Sequence, residues 1–199
     1  MNLIGLFPTP VGEFFYDKEF TDEQKKFLLE QKQTANEGNT TSEFRKILDD
    51  ECVKDLREFV DSAVSKYLAN TYAPKFDVKM QITQSWMNYT QPGQYHHKHA
   101  HPNSLISGVF YVNADPEKDK IYFFKEGYER LKLMTEDWNA FNSESWWLPV
   151  ETNKLILFPS NLTHMVQTVE AKETRVSLAF NTFPKGYIGN DDTLTGLHL

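Results

Sequence analysis

The sequence predicts a mostly β protein with its helices gathered in the first third and its strands forming an antiparallel sandwich or small barrel, a jelly roll above all. Three observations predict this. Eight short runs rich in β-branched and aromatic residues crowd the chain after Lys79. Turn-forming stretches separate most of them ("PG", "HPN", "DPEKD", "ETN", "PSN", "AKE"), the spacing typical of antiparallel β architectures. Ahead of Lys79, apolar residues recur instead with the period of a helix.

Taken in order, Thr21 followed by "DEQ" reads as an N-cap with an acidic first turn, and Gln24 is placed to close a capping box. A helix from about Asp22 to Thr34 follows, and "NEGNTTSEF" reads as a loop. A second helix is expected from about Asp49 to Tyr72. Its positions Val53, Leu56, Val60, Val64, Tyr67 and Leu68 form one apolar face. Both helices read as scaffold. The strand runs are "MQITQSWMNYTQ", "HHKHAH", "SLISGVFYVNAD", "KIYFFKE", "SWWLPVE", "KLILFPS", "HMVQTVE" and "RVSLAFNTF". The segment from Gly127 to Ser145 breaks the rhythm and reads as an insertion, partly helical at "YERLKLM", placed to cover an opening. After Phe183 the tail reads as loop.

At 199 residues the chain is expected to form one domain, with a helical part over about 1–76, a β core over about 78–184 and a tail over 185–199. A hydrophobic content of 40% with 14% aromatics marks a globular protein. The net charge of −7 argues against phosphate backbones and anionic lipid, so neither nucleic acid nor a membrane is an expected partner. Dimerisation is common in soluble proteins, so a homodimer stays open. Cys52 has no internal disulfide partner, which fits a reducing cytoplasm, and it reads as a small apolar group on the second helix. The opening "MNLIGLFPTPVGEFFYD" lacks a basic leader region and soon turns acidic, unlike a signal peptide. No apolar run approaches membrane-spanning length.

Four of the six histidines fall within "QYHHKHAH". Strand alternation would put His97, His99 and His101 on one face, with His96, Lys98 and Ala100 on the other. Two histidines one residue apart on a strand reach the same point in space and suit a transition metal. A third ligand must come from elsewhere, and His164, at the start of another predicted strand, is the internal histidine left to supply it. In "TRVSLAFN", Arg175, Ser177, Ala179 and Asn181 share one strand face. A polar face carrying Arg suits an anionic ligand, because the guanidinium binds a carboxylate through two donors and a neighbouring hydroxyl adds a third. Trp86, Trp138, Trp146 and Trp147 are pocket or lid candidates, although for each alone core or interface packing is the plainer reading.

Together, "LFPTPV", "WMNYTQPGQYHHKHAHPNSLISGVFYV", "KLILFPSNLTHMV" and "TRVSLAFN" resemble the Fe(II)- and 2-oxoglutarate-dependent oxygenases, in particular a branch found in bacteria and phages. The order Tyr89, Gly93, His99 and then His101 resembles prolyl-hydroxylase-like enzymes, with His101 standing where a carboxylate is usual. The resemblance implies a double-stranded β-helix, cupin-like and buttressed by the N-terminal helices. It implies His99, His101 and His164 as metal and catalytic residues for Fe(II). It implies Arg175 and Ser177 as the clamp for 2-oxoglutarate, and Asn88, Tyr89 and Tyr111 as further cosubstrate-side groups. The offset from Gly93 leaves His97 beside the metal set or at its rim. The implied activity is oxidation of a small-molecule or peptide substrate by molecular oxygen, of hydroxylase type. The all-imidazole site also leaves room for a three-His dioxygenase independent of 2-oxoglutarate, or for a non-enzymatic metal-containing binding protein.

Overall fold

The computed structural model describes residues 1–127, 131 and 133–199. The chain opens with strand β1 (Gly12–Phe15), then helix α1 (Asp22–Leu29). The capping box forms: Thr21 Oγ1 accepts from the Gln24 backbone at 3.2 Å, and Gln24 Oε1 accepts from the Thr21 backbone at 3.0 Å. The helix stops at Leu29, short of the expected Thr34. Gln33–Ala35 instead forms strand β2, paired with β3 (Thr40–Ser42), and the sequence reading of "NEGNTTSEF" as plain loop is corrected with it. The reason is tertiary. β3 pairs Thr40 with Tyr89 and Thr41 with Asn88, so the hairpin extends a large sheet, where β-branched threonines fit a pleated surface. The second helix starts with 3-10 turns at Ile47–Asp49 and Glu51–Val53, and the α-helix α2 covers Lys54–Thr71. Cys52 lies in the second of these turns and not on the α-helix, its thiol pushed up by burial and then by neighbouring carboxylates.

All eight predicted strands form: β4 (Lys79–Thr90), β5 (His96–His99), β6 (Ile106–Asn113), β7 (Lys120–Phe124), β8 (Ser145–Pro149), β9 (Lys154–Pro159), β10 (His164–Val166) and β11 (Arg175–Lys185). They assemble into a large sheet ordered β1-β9-β6-β11-β4-β3-β2 and a small sheet ordered β5-β10-β7-β8. These pairings are antiparallel, and the two sheets form a jelly roll. The tail is not loop throughout: β12 (Tyr187–Ile188) pairs with β13 (Leu197–His198) as a short ribbon. Of the stretch "YERLKLM", Tyr128, Glu129, Arg130 and Lys132 lie outside the described residues, and Leu131, Leu133 and Met134 are not helical. Among the described residues no helix is long and apolar enough to cross a membrane.

Alternation along the large sheet's strands divides its side chains between two layers. One face packs on the helices. Met87, Tyr89, Phe110, Leu155, Leu157, Leu178 and Phe180 join Leu56, Val60, Val64 and Tyr67 of α2 in one buried cluster. Phe110 sits at its centre, with ring contacts to Tyr16, Phe20 and Phe59. Burying a side chain of this size contributes about 1.5–3 kcal/mol, so the helices fix the large sheet. At Gly108, β6 runs so close to Phe180 and Leu157 that an added Cβ would overlap both. The other face looks toward the small sheet. There Tyr111, Ile156 and Phe158 meet Ile121 and Phe123 of β7 in a second cluster. The space beside that second cluster becomes the site.

Candidate active site

Strand β4 turns at Gly93, whose φ of 82° is a conformation that glycine reaches without a Cβ clash. The Gly93 amide donates to Val169 O at 2.9 Å, and the chain enters β5. Strand β10 pairs with β5, setting His164 opposite His99. The register then slips, because His164 and Val166 span two steps on β10 while their partners His99 and His96 span three on β5. β5 thus carries an extra residue, a β-bulge. The bulge overturns the alternation expected for the histidines. His96 is not on the far face: its ring stacks on His99 at 4.7 Å and 22°, and it lines the central cavity. His97 is not among the residues that line it.

His101 lies just past β5, its backbone amide donating to Ser160 O at 2.9 Å. Ring centroids are 4.4 Å apart for His99 and His164, 4.9 Å for His99 and His101, and 5.1 Å for His101 and His164. One ring nitrogen from each lies within 4.8 Å of the other two, so this trio can hold a metal ion. Two of the three are oriented by the backbone. His99 Nδ1 meets His97 O at 2.8 Å, and His164 Nδ1 meets Leu162 O at 3.0 Å. A carbonyl oxygen only accepts, so both Nδ1 atoms carry the proton and both Nε2 atoms keep a lone pair. Burial, and after it the neighbouring imidazoles, lowers His101 to about 4. Burial is also the main cause that lowers His99 and that holds His164 well below the usual imidazole range. These rings stay neutral at pH 7, the form a metal binds.

Across the same cavity stand Arg175, Ser177 and Ala179 of β11, Trp86 and Asn88 of β4, Tyr111 of β6 and Ile121 of β7. Arg175 is 3% exposed. It donates to Lys120 O at 2.9 Å and to Tyr111 Oη at 3.4 Å, with its guanidinium carbon 5.1 Å from the Tyr111 ring centre. Among the described residues no carboxylate forms an ion pair with it. A buried cation without a counter-charge is costly, and an anionic ligand would supply that charge. Asn88 Oδ1 is likewise buried without a partner, among the described residues. Tyr89 is a correction: its hydroxyl donates to Leu28 O at 2.9 Å, and its ring belongs to the helix-side cluster. It sits one residue from Asn88 on a regular strand, so it points to the opposite face. Trp86, two residues from Asn88, points inward with it, and that parity was legible once the strand was assigned. The remaining tryptophans lie elsewhere: Trp146 and Trp147 are half-exposed on β8, and Trp138 is exposed. Three convergent imidazoles, an unpaired buried guanidinium and an orphaned amide oxygen fit a divalent metal bound beside a carboxylate-bearing ligand.

A jelly roll that sets such an imidazole trio against a buried arginine is an arrangement that suits a metal-dependent enzyme of the oxygenase type. A family model described as "Putative 2OG-Fe(II) oxygenase" matches residues 84–181, the stretch holding these residues. Over this stretch the chain matches the Fe(II)- and 2-oxoglutarate-dependent oxygenases, with Fe(II) as metal and 2-oxoglutarate as cosubstrate. This reading is favoured over the cosubstrate-independent dioxygenase and the non-enzymatic binding protein. No curated protein matches the sequence. Solved structures with the same fold include HygX from Streptomyces hygroscopicus with nickel and 2-oxoglutarate bound, at 10% identity over 96% of this chain and 92% of that one, TM-score 0.60. A Pseudomonas putida prolyl-4-hydroxylase aligns at 12% identity over 88% and 93%, TM-score 0.56. A Burkholderia pseudomallei oxidoreductase of the 2OG-Fe(II) oxygenase family aligns at 10% over 79% and 74%, TM-score 0.57. At such identities the likeness is one of fold.

Proposed function

We propose that His99, His101 and His164 hold the Fe(II), that Arg175 and Ser177 bind the far carboxylate of 2-oxoglutarate, and that the enzyme hydroxylates a small molecule or a peptide residue. The observation that carries this is the placing of the imidazole trio and the unpaired Arg175 on one cavity. When bound, iron and 2-oxoglutarate supply the oxidising chemistry, consuming dioxygen and releasing succinate and carbon dioxide. The chain's own part is positional and electrostatic. His99 and His164 present fixed Nε2 lone pairs because their Nδ1 protons are held by carbonyls. Arg175 offers a fork of donors whose neighbours already orient it, and Ser177 Oγ adds a hydroxyl on the same strand face. Tyr111 Oη faces the guanidinium, and Asn88 offers its amide to the cosubstrate. Val109, Ile121 and Ala179 give the cavity apolar walls that keep water away from it. An imidazole at position 101 leaves the site one unit more positive than a carboxylate would, which favours a dianionic cosubstrate.

One HygX structure also holds hygromycin B, and the Pseudomonas putida relative is a prolyl hydroxylase. Small molecules and peptides are therefore the classes to screen. The reading treats residues 1–199 as one domain, because helices and large sheet share a core, and as a cytoplasmic protein, in keeping with its lone cysteine. Anaerobic protein supplied with Fe(II) should bind 2-oxoglutarate, and on admission of oxygen should slowly form succinate. Protein that does neither would end this assignment of the site.

A further inference from the structure

The first metal set leaves two histidines of the "HHKHAH" run unused. His96, His97 and His99 form a second group in which one ring nitrogen from each lies within 4.8 Å of the others. Their ring centroids are 4.6–5.1 Å apart. The bulge in β5 makes this group by turning His96 and His99 to one side, so three rings from four consecutive residues crowd together.

Two observations point to a ligand there. His97 Nδ1 is buried and has no hydrogen-bond partner among the described residues. Such an atom costs about 1–3 kcal/mol, and an unseen ion is one of its ordinary explanations. The second observation concerns His96. Its Nε2 lies 3.3 Å from the Asn36 amide, which meets Asn39 at 2.9 Å, and Asn39 meets Thr90 Oγ1 at 3.1 Å. The hairpin bearing Asn36 is itself tied to the histidine strand, since the Tyr95 amide donates to Gly38 O at 3.1 Å. This relay satisfies its members equally well in reverse, because a hydroxyl both donates and accepts and both amides can turn over. Reversed, Thr90 donates to Asn39, Asn39 donates to Asn36 Oδ1, and His96 Nε2–H donates to the same oxygen. His96 Nδ1 is then left with a lone pair, oriented as outer hydrogen bonds orient metal-bound imidazoles.

We propose that His96, His97 and His99 form a second site for a transition-metal dication of the zinc, cobalt or nickel type, alternative to the first. Imidazole donors suit those ions and not magnesium or calcium. The two sites are exclusive. His99 Nδ1 is committed to His97 O, so its Nε2 serves one set or the other. An ion at the second site withdraws a ligand from the first and blocks cosubstrate chelation there. The proposal rests on the preceding reading only for the identity of that first set.

The test is cobalt(II) titration of the full-length His101→Ala/His164→Ala protein, followed by visible absorption and calorimetric stoichiometry. One ion per chain is expected. Adding His97→Ala should weaken it by more than about tenfold, the least that even an outer-shell change costs at such sites. The unaltered protein should take up one tight ion, not two. The proposal is overturned if the double variant, folded by circular dichroism, binds no cobalt. It is equally overturned if the triple variant binds as tightly as the double, or if the unaltered protein takes up two ions. Should the alanine pair unfold, His101→Asn/His164→Phe refills the space beside Trp86 and Phe158 and is read the same way. His97→Ala protein, its second site disabled and its first intact, that binds cobalt but no 2-oxoglutarate would sink the cosubstrate assignment and leave this proposal standing. A metal-free double variant beside an unaltered protein that binds 2-oxoglutarate would do the reverse.

Discussion

Replacing Arg175 by Met separates a binding arginine from a structural one. The guanidinium is 3% exposed, and its protein partners are a carbonyl at 2.9 Å and a tyrosine hydroxyl at 3.4 Å. Neither carries charge, so among the described residues no ion pair offsets the desolvation cost of the cation. Methionine fills much of the same volume and removes that cost, at the loss of two hydrogen bonds. The two changes oppose each other, and folding stability should shift by no more than about 2 kcal/mol, or roughly 4–8 °C in Tm for a chain of this size. Binding should respond very differently. Removing one partner of a buried, hydrogen-bonded charge pair costs about 2–5 kcal/mol, so 2-oxoglutarate affinity should fall by roughly thirtyfold to several thousandfold. Calorimetry on nickel-loaded protein measures the affinity, and differential scanning fluorimetry without cosubstrate measures the stability. Unchanged affinity in Arg175→Met, or a collapse in stability with affinity intact in the folded fraction, would refute the clamp.

Two further outcomes follow from the same geometry. Tyr89→Phe removes a donor to Leu28 O inside the helix-side cluster, so urea unfolding should show a loss of about 1 kcal/mol with 2-oxoglutarate binding unaltered; a large loss of binding would return Tyr89 to the cavity. The metal-free protein should also lose stability in acid. Burial, and then neighbouring imidazoles, holds folded His101 at about 4 and His96 at about 3, against an ordinary value of 6.5. Because these folded values lie below the unfolded one, their stabilising contribution is complete above about pH 6.5 and is lost as the pH falls from there toward about 3. Urea midpoints that stay flat across that range would contradict the burial of these rings.

Much of this protein is legible in its residues. The eight β runs, their turns and the capping box at Thr21 depend on local chemistry, and each appears where the residues place it. Arg175, Ser177 and Ala179 share a cavity face because a regular strand alternates, and that parity is read from sequence alone. Other features required partners. Thr34 leaves the helix because a hairpin edge was available on β4. Tyr89 fits the prolyl-hydroxylase-like motif order, yet the parity of β4 gives it to the helices and gives Trp86 and Asn88 to the cavity.

The histidine run shows most sharply where that boundary lies. The sequence by itself determined that a cluster of imidazoles, a distant His164 and an arginine-bearing strand would meet in a jelly roll, because composition and strand period are properties of the chain alone. Only the tertiary structure decided which faces the histidines take. A bulge is a mismatch between two strands, and its place in β5 is defined by the pairing with β10. That mismatch turns His96 inward to stack on His99 and leaves His97 Nδ1 without a partner among the described residues.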